Sequence, residues 1–187
     1  WSSDVCSSDL KIMYDLQQAV DAQLKRMLDK NPLRLEFYDK YQKIIEEYNN
    51  GKDADAIRKA FEDLVKFINE MNEEEHRSAK EGLDEETLAI YDLLRKDSLT
   101  KDEEAKVKEV AIEMLAKLKA KPLKVERYRE STQITAQVRT MIHDNLVWLP
   151  QESYLDEEVD TKAIDVYQHI YSNYYGGGAS TYNTYAA

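Results

Sequence analysis

Few side chains in this sequence combine types and spacings that support reaction chemistry. Glu73 and His76 form a Glu-x-x-His pair, the spacing that sets two metal ligands on one helix face. A carboxylate-bridged two-metal site needs two such pairs plus further glutamates, and neither His143 nor His169 follows a Glu at that spacing. Asp160-Thr161-Lys162 has the Asp-x-Lys order of many metal-dependent nuclease corners. Those corners sit on strands beside another aspartate, whereas this tripeptide falls in an amphipathic helical pattern. A phosphate-cradling GxxxxGK[ST] loop or a GxGxxG fingerprint needs glycines that are absent here, since only Gly51 and Gly82 lie outside the run at 176–178. The expectation is therefore no catalytic residue, no cofactor-binding residue and no metal ligand set within the chain.

Charge is the next source of function. The chain carries 37 acidic and 26 basic residues, for a net charge of −11, and such a surface repels nucleic acid unless its cations are segregated locally. One segment is segregated. Residues 117–129, KLKAKPLKVERYR, hold Lys117, Lys119, Lys121, Lys124, Arg127 and Arg129 against the single acid Glu126. These six cations are candidate contacts for DNA phosphate or an acidic partner. The competing reading is a helix C-terminus whose lysines complement the helix dipole, followed by a solvated linker. Residues 70–86 are the opposite, with eight acids against two bases. Tyr167, Tyr171 and Tyr174 share one helical face, which reads equally as core packing and as a partner-facing surface, because tyrosine is enriched at protein interfaces.

The elements that must position these residues are helices. Ile12, Leu16, Val20, Leu24 and Leu28 recur every four residues up to the Asn31-Pro32 break. Phe37, Tyr41, Ile44, Ile45 and Tyr48 mark a second helix, closed by Asn49-Asn50-Gly51. A third is predicted from about Asp53 to Lys80, with Ile57, Phe61, Leu64, Val65, Ile68 and Met71 on its apolar stripe and Gly82 at its end. Asp84 caps the next, which buries Leu88, Tyr91 and Leu94. Thr100 to Glu103 form a capping box before Val107, Val110, Met114 and Leu118. After Pro122, a helix over roughly 127–147 carries Ile134, Val138, Met141, Ile142 and Leu146. A last one, about 156–174, carries Ile164 and the three tyrosines. The fold class is all-α, an irregular bundle of six to seven helices, with residues 51–175 as the main helical domain and 11–50 as two leading helices. The tail 176–187, GGGASTYNTYAA, is Gly- and Tyr-rich without apolar periodicity and is expected to be disordered.

No apolar run is long enough to span a membrane, and the single cysteine excludes an internal disulfide framework, which fits a cytoplasmic protein. The opening WSSDVCSSDL lacks the basic and apolar regions of a secretory signal. Back-translation of this decapeptide gives a string similar to a common sequencing adapter, so residues 1–10 are expected to be an artefact ahead of a fragment of a longer protein.

Residues 81–147, from Glu81-Gly82-Leu83 with Glu85 and Glu86, through Ala89 and Tyr91-Asp92, to Val138-Arg139, resemble the C-terminal helical region of the R (restriction) subunit of type I restriction–modification enzymes. The upstream RLEFYDKYQKIIEEYNNG is similar to the helix that precedes this block in that family, so the resemblance covers about residues 12–175. It implies an intact polypeptide that translocates and cleaves DNA with ATP and Mg, its nuclease and motor domains lying upstream. It also implies partnership with methyltransferase (M) and specificity (S) subunits, contact with DNA through the whole enzyme, and a docking or scaffold role for this region. A DNA-contacting accessory to the motor and an unrelated helical adaptor are the alternatives.

Overall fold

A computed structural model describes residues 3–51 and 53–183, with side chains from Lys11 onward. Two compact units divide the chain, one ending at Gly82 and one beginning at Leu83.

The first unit holds α1 (Ser3–Lys30), α2 (Leu35–Asn50), α3 (Ala54–Glu75) and the short α4 (Arg77–Glu81). Its core joins Met13, Val20, Leu24 and Met27 of α1 to Tyr41 and Ile44 of α2 and to Leu64, Phe67 and Met71 of α3. The strict four-residue spacing predicted for α1 drifts around the helix because a turn takes 3.6 residues. Ile12 is accordingly exposed and Met13 buried. Phe67 is the centre, stacked on Tyr41 at 5.9 Å and tilted against Phe37 at 6.1 Å. The buried face of α3 pairs with α2 and α1, so α3 belongs with the leading helices.

The sequence predicts one helix to Lys80, but α3 stops at Glu75 and helical structure resumes at Arg77. The cause is remote in sequence. Buried Arg34 donates through Nε to the Glu74 carboxylate at 2.9 Å and through Nη2 to the Glu74 carbonyl at 3.3 Å. A carbonyl recruited by a guanidinium is a poorer acceptor for the helical ladder, and the helix yields one residue later. Gly82 then ends α4 at φ 69°, the left-handed cap that glycine adopts without a Cβ penalty.

The second unit contains α5 (Glu85–Leu94), α6 (Lys101–Ala120), α7 (Thr132–Leu146) and α8 (Asp156–Asn173). α5 packs on α6, α6 on α7, α7 on α8 and α8 back on α5, which closes a four-helix ring. Leu88, Leu94, Val107, Met114, Leu118, Val138, Ile142, Leu146, Val166 and Ile170 fill it, all fully buried. The predicted caps form: Asp84 accepts from the Thr87 amide at 2.7 Å, and Thr100 and Glu103 complete a reciprocal capping box. α7 starts five residues later than predicted, because Tyr128–Glu130 is a separate 3-10 turn and Ser131 is the cap, accepting from the Ile134 amide.

The predicted disorder of the tail fails over residues 176–183. Tyr174–Gly176 (β1) and Ala179–Ser180 (β2) form an antiparallel hairpin, followed by a 3-10 turn at Thr181–Asn183. Gly176, Gly177 and Gly178 all have positive φ, and a Cβ on Gly176 would come within 2.5 Å of the Val125 carbonyl. The glycines thus supply close backbone approach and turn geometry rather than freedom. Gly178 donates to the Leu123 carbonyl at 3.2 Å, which ties the hairpin to the turn after α6. Residues 184–187 of the predicted tail lie outside the described residues.

Candidate functional site

The predicted basic segment is distributed rather than gathered. Lys117, on the last turns of α6, reaches the Glu113 carboxylate at 3.0 Å and the Asn145 side chain at 2.8 Å. Lys119 pairs at 2.7 Å with Glu86, a buried carboxylate that also accepts from the Tyr174 hydroxyl at 3.3 Å. Burial first, and the Glu86 charge second, push the Tyr174 hydroxyl well above the usual tyrosine range, so it stays a donor. Lys121 and Lys124 are exposed at the following turn and have no ion-pair partner among the described residues. Arg127 is exposed at φ 51°, a left-handed conformation for a non-glycine residue, and lies 3.9 Å from Glu130. Arg129 leaves the segment altogether and inserts between the rings of Tyr171 and Tyr175, at 5.1 and 4.9 Å.

The three predicted tyrosines also separate. Tyr174 is buried, beyond the end of α8, whereas Tyr167 is half-buried and Tyr171 exposed. The inward face of α8 is Val166, His169 and Ile170. Ile164, grouped with the tyrosines from sequence, is 57% exposed. The reason is phase: 167, 171 and 164 share one side of the helix, while 166, 170 and 169 share the side that meets α5 and α7.

On that outer side a continuous strip assembles. Arg139 of α7 lies over Tyr167 at 4.3 Å, and Tyr167 sits 5.9 Å from Tyr171. Arg129 links Tyr171 to Tyr175, which completes the order Arg139, Tyr167, Tyr171, Arg129, Tyr175. Cation–π contacts of this kind contribute about 0.5–1 kcal/mol each at exposed positions. Beside Arg139 and Tyr167 opens a groove of about 590 Å³ between α7 and α8, bounded also by His143, Asp160, Ala163 and Ile164. His143 and Asp160 approach to 3.4 Å at its edge. Arg139, Tyr175 and the exposed Ile164 were not among the contact residues read from sequence. The signal that could have found Arg139 and Tyr175 is a gap in the acids: 131–143 and 166–183 contain no Asp or Glu.

The Asp-x-Lys tripeptide weighed for catalysis has structural employment. Lys162 of the Asp-x-Lys tripeptide turns inward to donate to the Leu93 carbonyl, while Asp160 faces His143. Tyr154 donates to the neighbouring Leu94 carbonyl at 2.8 Å, so two side chains cap the end of α5. Burial pushes the Tyr154 hydroxyl up to about 12. Glu73 and His76 are both exposed, and α3 stops just before His76. Among the described residues no group of three or more His, Cys, Asp or Glu side chains is placed to hold a metal ion, and no helix is long and apolar enough to cross a membrane. Burial lowers the pKa of His169 to about 4. Its Nδ1 accepts from Asn173 at 3.2 Å, which leaves Nε2 to donate to the Tyr182 hydroxyl at 2.9 Å.

The described residues form an all-α fold that carries a strip of stacked arginines and tyrosines. Residues 8–167 match the family described as "Type I restriction enzyme HindI endonuclease subunit-like, C-terminal", and the chain belongs to that family. It is thus the C-terminal part of a protein like the R subunit of type I restriction enzymes. No curated protein and no solved structure matches the chain.

Proposed function

We propose that this region is a non-catalytic docking and scaffold module of a type I restriction enzyme R subunit, joining the ATP- and Mg-dependent motor to the methyltransferase core. The reading rests on family membership together with an exposed Arg–Tyr face on a closed helical ring. Such faces suit protein contact, because tyrosine and arginine are the residue types that most often carry interface energy. Titratable groups with shifted character support the same reading, since they cap helices or tie segments together. Hydrogen bonds from Ser153 and from Thr100 hold the Glu103 carboxyl low, and those from Lys96 and Leu155 do the same for Glu158. The M and S subunits are the proposed partners, DNA is met through the whole enzyme, and the setting is the cytoplasm.

The test is co-purification of the chain with the methyltransferase subunit encoded beside it and, separately, with the upstream motor domains. Retention by both supports a joining role, and retention by neither overturns it. A second reading, a DNA-contacting accessory, is favoured by the exposure of Lys121, Lys124 and Arg127 along one turn. Neutralising those three should then flatten the salt dependence of DNA binding by the parent enzyme, by about one unit of slope for each phosphate that no longer meets a cation.

A further inference from the structure

We infer that the Arg139–Tyr167–Tyr171–Arg129–Tyr175 strip and the adjoining α7–α8 groove form a docking face for an acidic, amphipathic helical segment of a protein partner. The inference rests on the docking reading above and names the chemistry of the segment that docks.

Three observations carry it. Neither Arg129 nor Arg139 has a carboxylate partner among the described residues, although the chain is strongly acidic. Stacking on tyrosine uses the face of a guanidinium and leaves its in-plane N–H edge for a carboxylate, which it meets bidentately. The Nε and Nη2 donors of Arg129 are buried without an acceptor, so Arg129 serves to hold the rings, and the exposed Arg139 is the cation within a partner's reach. Second, residues 131–143 and 166–183, which supply Arg139, Tyr167, Tyr171 and Tyr175, contain no acid, although Glu130, Asp160 and Asp165 flank them. Third, the groove supplies an apolar foothold next to those charges: Ile164 is 57% exposed there beside Ala163. An apolar anchor flanked by cations fits a helix with leucine-like side chains flanked by glutamates.

The same geometry argues against a polyphosphate ligand. Asp160 stands at the groove edge, where a polyphosphate would have to set its charge against the carboxylate. A peptide can instead turn a donor toward Asp160. The rings are already held by their cation–π contacts, so binding costs little side-chain freedom.

The experiment measures anisotropy of a labelled helical peptide bearing a leucine stripe flanked by glutamates, its glutamine twin, and an oligothymidylate. The acidic peptide should bind saturably, with the glutamine twin at least about tenfold weaker, equivalent to about 1.4 kcal/mol. Arg139→Gln should weaken the acidic peptide by a similar factor. Arg139 is exposed, so an unchanged circular dichroism spectrum and a melting temperature lowered by only a few degrees should accompany that weakening, and the twin peptide tests the idea with the protein unaltered. Equal binding of the two peptides, no binding, preference for the oligothymidylate, or a dimer that Arg139→Gln dissolves would each overturn it. Peptide binding without capture by the methyltransferase subunit would count against the docking reading alone; capture that Arg139→Gln leaves intact would count against this face alone.

Discussion

The basic segment 117–129 and the Arg–Tyr strip of α7 and α8 teach opposite lessons about charge. The first is conspicuous along the chain and dissolves in space: Lys117 and Lys119 turn back to carboxylates and an amide, and Arg129 departs to stack on tyrosines. The second is scattered over residues 129–175 and converges. Linear charge density reports where a chain is soluble. A contact face needs cations that the fold leaves without internal carboxylates, and only packing decides which those are.

Tyr128 is the pivot between the two regions. It is fully buried and donates to the Ile170 carbonyl at 3.1 Å, which fixes the turn from which Arg129 projects. Tyr128→Ala is expected to destabilise the second unit by about 3–5 kcal/mol, read by urea denaturation, and to abolish the strip. If stability falls but peptide binding persists, the strip does not depend on that turn.

Acid should act nearly as strongly. His169 is held neutral by burial, with a value of about 4 against an ordinary 6.5. A base whose folded value is depressed favours unfolding as protons become available. Stability is therefore intact above about pH 6.5 and declines as pH falls from there toward about 4, by up to about 3 kcal/mol. Urea midpoints across this window should show the decline, and His169→Gln should flatten it.

Glu86→Gln tests whether Lys119 is held back by its partner. Removing the charge from this half-exposed pair is expected to cost about 1 kcal/mol, and the variant should bind acidic peptides no more weakly than wild type. The smallest effect belongs to Lys121→Gln with Lys124→Gln, exposed residues without ion pairs, for which a change within about 0.5 kcal/mol is expected in thermal melts.

Local rules were legible where local contacts decide. The α6 capping box and its Val107, Val110, Met114 and Leu118 stripe follow from spacing alone, and the structure buries all four. The break at His76 was not legible, because Arg34 causes it from forty positions away. The tail misled because three glycines read as freedom, while here they admit the Val125 carbonyl and let Tyr182 reach His169. The tyrosine face was half legible: spacing grouped Tyr167 and Tyr171 correctly but could not show that α8 ends before Tyr174. Arg129 and Arg139 meet those rings through tertiary packing, which no periodicity encodes.

Docking through the Arg–Tyr face is tested most directly by measuring affinity for the methyltransferase subunit, side by side, with Arg139→Gln and with the Lys121→Gln, Lys124→Gln pair. Roughly a tenfold weakening is expected for Arg139→Gln and a change within about twofold for the lysine pair. The reverse order, with binding abolished through the lysines and kept without Arg139, would contradict it.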